Sequence, residues 1–402
     1  MANLTAEVID LFAGPGGWSL ACAVLGLDEL GIEYEPNACN TRRNAGFRTL
    51  EADVASLNPA DFVAAGLIAS PPCPAFSAAG AGHGRAALDD LVAAVGRRDW
   101  SFRPHPDPAV WLVLEVGRWY ESLQPEWIAL EQVPTVLPLW EAYARLLDAD
   151  GYSTWTGVLN AADYGVAQTR ERAILVASRT RPAHPPPATH TSDPSAAATL
   201  FGELLPWVPM ATALGLANFD LGFPRIDDTG TSDDGYRERD WRPSTVPAFT
   251  LSGKSRSWVL RNAEAAPPPP SGSWILSPGR TSVARRNRRL YDAAHELAPT
   301  LAFGHDSVNW IWHRPATTLC GDSRVFPPGG HTANDGRDNT RMVGRTENTI
   351  RLTPEQALAL QSFPPDFPVA GAKTRKFQQI GNAVPPLVAL AVLSALTGKA
   401  AG

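Results

Sequence analysis

Short apolar runs alternate with amphipathic stretches along the first 178 residues of the chain. Apolar runs bounded by turn residues predict strands at residues 6–12, 31–35, 67–70, 127–130 and 174–177. Between them, apolar residues recurring every three or four positions predict helices at residues 18–25, 38–44, 108–123 and 137–150. Alternating strands and helices are typical of an α/β fold, so we predict a doubly wound, mostly parallel sheet.

The pattern changes after Arg181. Pro182 and three further prolines at 185–187 open a stretch rich in proline, threonine and alanine with little periodicity. At 402 residues the chain exceeds the size of one comfortable core, so we expect a second domain to begin here. Helical periodicity returns late, after Pro354 and again over residues 386–396.

The composition is ordinary for a soluble globular protein, with 44% hydrophobic and 19% charged residues. No apolar run approaches the ~20 residues of a membrane span, and no secretion signal opens the chain, so we expect a cytoplasmic protein without a membrane partner. The four cysteines, Cys22, Cys39, Cys73 and Cys320, show neither a Cys-x-x-Cys pair nor zinc spacing with histidine. We therefore expect reduced thiols and no bound metal.

Charge is distributed unevenly along the chain, whose formal net charge is −6. Residues 1–178 carry 11 Lys and Arg against 22 Asp and Glu, whereas residues 237–289 carry 11 basic and 3 acidic residues. Trp241, Trp258 and Trp274 are interleaved with the basic residues of this segment. A basic, aromatic-rich segment predicts a surface that binds nucleic-acid phosphates, and the alternative is a solvated face in an arginine-rich chain.

One cysteine lies where an α/β sheet presents its ligands. The apolar run 64–69 predicts a buried strand, and Pro71 and Pro72 force the chain to turn directly before Cys73. Cys73 should therefore sit at the carboxyl edge of the sheet, where open α/β sheets bind ligands. From these residues alone a nucleophile and a small buried core thiol are equally good interpretations.

A glycine-rich turn follows the first predicted strand. Gly14, Gly16 and Gly17 would let the backbone approach a ligand closely at the start of the first helix. Glu33 lies 19 residues after Gly14, at the end of the second strand, where a carboxylate can accept ribose hydroxyls. This spacing indicates an adenosine-type cofactor, and a nicotinamide or flavin enzyme remains possible on this motif alone.

Five motifs follow one another along the chain: Phe12-Ala13-Gly14-x-Gly16-Gly17, Pro71-Pro72-Cys73-x-x-Phe76-Ser77, Glu131-x-Val133-Pro134, Gln168-x-Arg170-x-Arg172 and Gly381-Asn382-x-Val384-Pro385. In this order they resemble the DNA (cytosine-5-)-methyltransferase family, over about residues 6–178 and 347–396. The resemblance implies an S-adenosylmethionine-dependent methyltransferase fold at residues 1–182 and a smaller, irregular or β-rich target recognition domain at 183–325. It also implies that residues 326–402 return to the catalytic domain.

The resemblance implies methyl transfer from S-adenosylmethionine to C5 of a cytosine flipped out of a specific double-stranded DNA sequence. Because C5 of cytosine is a poor nucleophile, the Cys73 thiolate would add to C6 and activate it. Glu131 would stabilise the ring as an acid at N3 and the exocyclic amine. Arg172 would hold O2 of the base, and Arg170 would fix the loop near the phosphates.

The remaining site residues are also carried over from the family. The residues assigned to S-adenosylmethionine are Phe12, Gly14, Gly16, Gly17, Glu33, Tyr34, Asp53, Pro72, Leu112, Asn382 and Val384. The residues assigned to DNA are Ser77, Arg85, Arg256 and Arg324. Residues 80–85 resemble a mobile loop that closes over the flipped base. Two positions depart from the family pattern, Pro74 for glutamine and Gln132 for asparagine, and the second bears on the turn at Pro72.

Two other functions share part of this pattern. An RNA cytosine-C5 methyltransferase carries the same catalytic motifs, but the ~130 residues between the arginine pair and Pro315 favour DNA. A non-catalytic DNA-binding relative would not need Cys73 and Glu131, which are both present. We expect a monomer that needs no companion restriction endonuclease for its activity.

A short internal repeat lies between the motifs. Residues 247–256 and 315–324 share Pro-Ala-x-Thr-Leu-x-Gly-x-Ser-Arg, and each copy ends on an arginine, Arg256 or Arg324. We interpret the copies as paired strand-and-turn units whose arginines point outward, with chance similarity as the alternative.

Overall fold

The structure, a computed structural model, describes residues 4–72, 74–76, 82–193, 202–214 and 354–400, and short strands between residues 198 and 350. Seven strands form the central sheet: β1 (Val8–Leu11), β2 (Glu29–Glu33), β3 (Arg48–Glu51), β4 (Gly66–Ala69), β5 (Trp127–Gln132), β6 (Ser153–Asn160) and β7 (Glu171–Ser178). Their order in the sheet is β3-β2-β1-β4-β5-β7-β6. The first five run parallel, and β7 lies antiparallel between β5 and β6.

The described residues also include eleven α-helices. They are α1 (Gly17–Val24), α2 (Pro36–Asn44), α3 (His83–Ala86), α4 (Leu88–Arg97), α5 (Pro108–Trp111), α6 (Glu115–Leu123), α7 (Leu137–Ala149), α8 (Met210–Leu214), α9 (Pro354–Leu360), α10 (Lys373–Asn382) and α11 (Pro386–Thr397). Single 3₁₀ turns lie at Val54–Ser56, Pro59–Asp61, Leu112–Leu114, Pro134–Val136 and Ala161–Tyr164.

Both faces of the sheet are buried, because apolar side chains on successive strand positions point to opposite sides. Along β1, Ile9 and Leu11 join a core built with α4, α6 and α7. Val8 joins a second core, on the opposite face, that contains α1 and α11. Helices therefore cover the sheet on both sides, which confirms the predicted doubly wound, mostly parallel sheet.

The last helix comes from the far end of the chain. α11 packs against α1, and its buried face includes Val388, Val392 and Leu393. The segment Lys373–Thr397 is long and apolar enough to be compared with a membrane span, but 61% of its most apolar stretch is buried. That burial is typical of a core helix.

The middle of the chain contains short strands. Seven of them form a second, antiparallel sheet: Asp220–Gly222, Trp241–Arg242, Val259–Arg261, Ile275–Pro278, Tyr291–Asp292, Trp310–His313 and Thr349–Ile350. Shorter pairs join Leu4–Thr5 to Phe62–Val63, His190–Thr191 to Leu205–Pro206, and Ala198–Thr199 to Gly202–Glu203. The residues that the structure describes between 198 and 350 therefore lie mostly in β-strands.

Some predicted elements differ from the structure. The helix predicted at 108–123 is divided into α5, the 3₁₀ turn Leu112–Leu114 and α6. The edge strands β3 and β6 and the helix α4 were not predicted. β3 and β6 lie at the two sheet edges and are largely exposed or half-buried, so they lack the continuous apolar run that marks a central strand.

Candidate active site at the carboxyl edge of the sheet

A cavity of about 310 Å³ opens where β1, β2, β4 and β5 end. Its volume is at the lower end of the range of small-molecule sites, about 300–1,000 Å³. The lining residues are Phe12, Ala13, Gly14, Pro15, Gly17, Trp18, Glu33, Tyr34, Glu35, Ala38, Ser70, Pro71, Pro72, Pro74, Glu131, Gln132, Arg170, Arg172, Arg375, Gln378, Gln379, Asn382, Ala383 and Val384. Residues from all five sequence motifs therefore meet at one cavity.

The glycine turn bends sharply between β1 and α1. Phe12 has a φ of 60° and Gly16 has a φ of 108°, both in the left-handed region that favours glycine. At Gly17, an added Cβ would lie 2.0 Å from the carbonyl oxygen of Val384. The glycine turn and the segment at Val384 therefore touch through their backbones and form one continuous wall of the cavity.

Glu33 is fixed at the end of β2 by three backbone donors. Its Oε2 accepts from the N–H of Gly14 at 2.8 Å, and its Oε1 accepts from those of Tyr34 at 2.9 Å and Glu35 at 2.8 Å. Burial raises the pKa of Glu33, and the three donors act in the opposite direction. A carboxylate has about four acceptor positions, so one remains for a ligand hydroxyl.

The second acidic group of the cavity is Glu131, at the end of β5. Its Oε1 forms an ion pair with Nε of Arg172 at 2.9 Å, and the two side chains are 8% and 9% exposed. Strand pairing explains this contact, because Glu131 lies opposite Ile174 in the β5–β7 register. Arg172 also donates from Nη1 to the carbonyl of Glu171 at 2.6 Å. A carboxyl group and a guanidinium are thus held side by side in the cavity wall.

Arg170 lies on the same segment but is directed to a different partner. It is almost fully buried and donates from Nη1 to the carbonyl of Gly381 at 2.9 Å. The arginine predicted to fix a loop near the phosphates therefore contacts the last turn of α10, and it also lines the cavity.

Gln132 holds the turn that precedes Cys73. Its Nε2 donates to the carbonyl of Pro71 at 2.7 Å, and its Oε1 accepts from the N–H of Val133 at 2.6 Å. Cys73 itself lies outside the described residues, but its neighbours Pro72 and Pro74 both line the cavity. At this position glutamine supports the turn, although the family commonly has asparagine there.

Several predicted residues do not line the cavity. Asp53 is exposed, and its carboxylate accepts from the N–H of Ala55 at 2.9 Å, where it caps a 3₁₀ turn. Leu112 lies half-buried in another 3₁₀ turn. Gly16 is not a lining residue, although it shapes the glycine turn.

The predicted DNA contacts fall mostly outside the described residues. Ser77, Arg256 and Arg324 all lie there, as do most of the basic segment 237–289 and both copies of the internal repeat. Arg85 is described, in the short helix α3, and donates from Nη1 to the carbonyl of Phe76 at 3.3 Å. The predicted loop 80–85 thus ends in helix.

One set of lining residues was missed by sequence reasoning. Arg375, Gln378 and Gln379 line the cavity together with Asn382. Their spacing of three, four and seven residues places them on one face of α10. That polar stripe was the signal available in the sequence.

A buried charge cluster lies beneath the glycine turn. Arg42 is fully buried and pairs with Glu29 at 2.8 Å, and it donates to Oγ of Ser19 at 2.8 Å and more weakly to the carbonyl of Ala13 at 3.5 Å. Asp10 is fully buried beside this pair, without a hydrogen-bond partner for either carboxyl oxygen. Burial, reinforced by Glu29, raises the pKa of Asp10 well above its usual range.

The described residues show no group of three or more His, Cys, Asp or Glu side chains placed to hold a metal ion.

Comparison with known proteins gives the same relationship along the whole chain. A model of the C-5 cytosine-specific DNA methylase family matches residues 6–398. The Type II methyltransferase M1.HphI of Haemophilus parahaemolyticus is 26% identical, over 96% of this chain and 86% of that protein. The Type II methyltransferase M.NgoMIV of Neisseria gonorrhoeae is 28% identical, over 96% and 95%. The solved structure of the Entamoeba histolytica methyltransferase EhMeth covers 99% of both chains, with 13% identity and a TM-score of 0.49.

The family match covers the central sheet, the β-rich middle of the chain and the late helices up to α11. It spans all five motifs, each of which contributes lining residues to the cavity. The resemblance seen in the sequence is thereby confirmed, and the chain belongs to the C-5 cytosine-specific DNA methylase family.

Proposed function

We propose that this protein transfers a methyl group from S-adenosylmethionine to C5 of a flipped-out cytosine in a specific double-stranded DNA sequence. The reaction passes through a covalent adduct between Cys73 and C6 of the base. The observation that carries the proposal is the buried pair of Glu131 and Arg172, which shares one cavity with Glu33 and the glycine turn. A base-recognising pair and a ribose-recognising carboxylate side by side suit a transfer between a nucleotide base and a nucleoside cofactor.

The cavity fits S-adenosylmethionine by the chemistry of its lining. Glu33 keeps an acceptor position for a ribose hydroxyl, and Phe12 and Tyr34 offer aromatic surface for adenine. The turn from Gly14 to Gly17 would lie along the methionine part, and Asn382 and Val384 would close the pocket. When bound, S-adenosylmethionine would supply the electrophilic methyl group. Asp53 and Leu112 stay proposals for the adenine end.

The chain's own residues would prepare the base. The Cys73 thiolate adds to C6, which breaks the C5–C6 double bond and makes C5 nucleophilic. Glu131 gives a proton or hydrogen bond to N3 as electrons move into the ring, and Arg172 holds O2. After methyl transfer, loss of the C5 proton re-forms the double bond and releases Cys73.

The two cysteines that the structure describes, Cys22 and Cys39, lack this context. Cys39 donates from Sγ to the carbonyl of Glu33 at 3.2 Å, and burial raises its pKa to about 11. Cys22 is buried in the core between α1 and α11, and burial raises its pKa even further. Both therefore remain protonated thiols at neutral pH, so neither competes with Cys73 as the nucleophile.

DNA recognition would fall to the middle of the chain. We propose residues 183–325 as the target recognition domain, and residues 1–182 with 326–402 as the catalytic part. The relatives M1.HphI and M.NgoMIV carry the name Type II methyltransferase, which supports a sequence-specific DNA substrate. Ser77, Arg85, Arg256 and Arg324 would contact this DNA. RNA is the alternative substrate, and the size of the middle region favours DNA.

The proposal is tested by incubating the full chain with methyl-labelled S-adenosylmethionine and either double-stranded DNA or RNA. The nucleic acid is then digested to nucleosides. We expect label in 5-methyl-deoxycytidine only. Cys73→Ser should abolish labelling while leaving DNA binding intact, whereas Cys22→Ala should keep both. Label in a ribonucleoside or on a ring nitrogen would overturn the assignment.

A further inference from the structure

A fully buried glutamine outside the predicted site residues connects two sides of the cavity. Gln361 directly follows α9 and has no exposed surface. Its Oε1 accepts from Nε2 of Gln168 at 2.7 Å. Its Nε2 donates to the carbonyls of Ile380 and Ala383, each at 3.1 Å. Both polar atoms of this amide are therefore committed to three residues on two other segments of the chain.

The two accepting carbonyls belong to the turn that carries the cofactor-side residues. Ile380 and Ala383 flank Asn382, which lines the cavity, and Val384 follows directly. α10 ends at Asn382, and its last carbonyls lack helical partners, as at any helix end. Pro385 has no N–H to offer the carbonyl of Gly381, so a side chain must satisfy this end of the helix.

Side chains meet that need in two places. Gln361 supplies the donor for Ile380 and Ala383, and Arg170 supplies the donor for Gly381 at 2.9 Å. Arg170 lies two residues after Gln168, the other partner of Gln361. The end of α10, residues 380–383, and the segment at Gln168 are thus joined by two buried side chains, Gln361 and Arg170.

The segment at Gln168 leads to the base side of the cavity. Two residues beyond Arg170 lies Arg172, which pairs with Glu131. Gln361 therefore stands between the turn at Asn382 and the segment that ends at the Glu131–Arg172 pair. A shift of one relative to the other would change the separation between the cofactor side and the base side.

We propose that Gln361 is a positioning residue that fixes the turn 381–384 against the segment 168–172, and through that turn sets cofactor affinity. This inference rests on the proposed function, because it takes the turn as part of the S-adenosylmethionine site. The proposed role requires both polar atoms of the Gln361 amide. Its oxygen serves Gln168, and its nitrogen serves the turn.

The Gln361→Glu variant separates the two roles of the amide. It keeps an acceptor for Gln168 but puts an oxygen where two carbonyls require a donor. When ionised, this carboxylate repels both carbonyls, and when protonated it donates to one of them. Burial raises the pKa of such a group, so its protonation falls within an accessible pH range.

The expected result is a loss of cofactor affinity that depends on pH. At pH 8, Gln361→Glu should bind S-adenosylmethionine about 10- to 100-fold more weakly than wild type, since two buried hydrogen bonds become repulsive contacts. At pH 6 the loss of affinity relative to wild type should be only about threefold, because the protonated carboxyl group again donates one hydrogen bond. Methyl-transfer rate at saturating cofactor should fall less than affinity does.

Comparing the variant with wild type at each pH cancels the effect that titration of the other charged groups has on binding. Those on the elements around Gln361 are Glu355, Asp366, Lys373, Arg375, Lys376, Arg170 and Arg172, and α11 carries none. Glu33 titrates equally in both proteins. Gln124→Glu is the matched control, because Gln124 is an exposed glutamine far along the chain from the turn, and it should bind like wild type.

The experiment measures S-adenosylmethionine binding by titration calorimetry on the full chain from pH 6 to pH 8.5, with unfolding midpoints for every variant. Binding of S-adenosylmethionine by Gln361→Glu with wild-type affinity at all pH values would overturn the inference. If that variant does not fold at pH 8, the Gln361→Met variant tests the inference instead. It loses all three hydrogen bonds without charge and should bind weakly at every pH, and normal binding by it would overturn the inference. Absence of binding by wild type would instead contradict the proposed function.

Discussion

Replacing Arg42 with methionine tests how far the buried charge cluster beneath the glycine turn stabilises the fold. Methionine replaces the apolar stem of arginine with an unbranched apolar side chain, which is shorter and removes the guanidinium charge. The change would leave Glu29 without its ion-pair partner at 2.8 Å, and Ser19 without a donor. Asp10, fully buried and without a hydrogen-bond partner, would lose its attraction to the nearest cation.

The loss of folding stability follows from the protonation of Glu29 once Arg42 is removed. Burial already raises the pKa of Glu29, and Arg42 is the main group that lowers it. Without Arg42, Glu29 would take up a proton on folding. At pH 7 this costs up to about 3.7 kcal/mol, because each pH unit above the usual pKa of about 4.3 adds about 1.4 kcal/mol. A total loss of about 3–5 kcal/mol is expected for one broken buried pair.

The pH dependence gives a second, sharper check. A group whose pKa is raised by folding binds more protons in the folded state, so its contribution to stability is lost as pH rises. The penalty of Arg42→Met should therefore shrink by about 2 kcal/mol between pH 7 and pH 5.5. Urea titrations followed by tryptophan fluorescence would report it, because Trp18, Trp119 and Trp140 are fully buried.

Arg48→Met is the matched control. Arg48 pairs with Asp28 at the surface, where the two side chains are 45% and 56% exposed, so its loss should cost about 0–1 kcal/mol. The reasoning would be refuted if Arg42→Met destabilised the protein no more than Arg48→Met. A penalty that stayed constant between pH 7 and pH 5.5 would also refute it.

Three other substitutions probe the cavity wall. Gly17→Ala should weaken cofactor binding at least tenfold in calorimetry, because its Cβ would lie 2.0 Å from the carbonyl of Val384, whereas Gly96→Ala meets no atom within 4 Å and should bind normally. Gln132→Ala should slow methyl transfer about tenfold in a labelling assay with unchanged cofactor affinity, because the 2.7 Å bond to the Pro71 carbonyl is lost. Wild-type affinity should fall as pH drops toward the raised pKa of Glu33, and Glu33→Gln should bind weakly without that acid-side loss in the same titration.

The central strands were predictable because they are buried on both faces. The strands predicted from the sequence coincide with β1, β2, β4, β5 and β7 within about three residues at each end. The edge strands β3 and β6 were missed because each pairs on one side only and its residues are largely exposed or half-buried, so neither has a continuous apolar run. Position in the sheet, more than local propensity, decided which strands could be recognised.

The site residues also divide into those that sequence motifs mark and those whose role depends on contacts distant in sequence. Glu33 was predicted from its place at the end of a strand 19 residues after Gly14, and Glu131 from the family resemblance. Both lie at the carboxyl ends of strands that share one edge of the sheet. Gln361 was not predicted, because its role depends on partners 193 and 19 residues away in sequence. The pairing of Glu131 with Arg172 likewise needed the β5–β7 register, which single-sequence patterns do not contain.

The most direct test of the central claim uses a duplex that carries 5-fluorocytosine at the target position. Fluorine cannot leave C5 as the proton does, so the enzyme should remain covalently attached to the base. We expect a stable adduct that forms only with S-adenosylmethionine, and peptide mass spectrometry should locate it on Cys73. An adduct on another residue, or none with a protein that methylates normal DNA, would contradict the proposed mechanism.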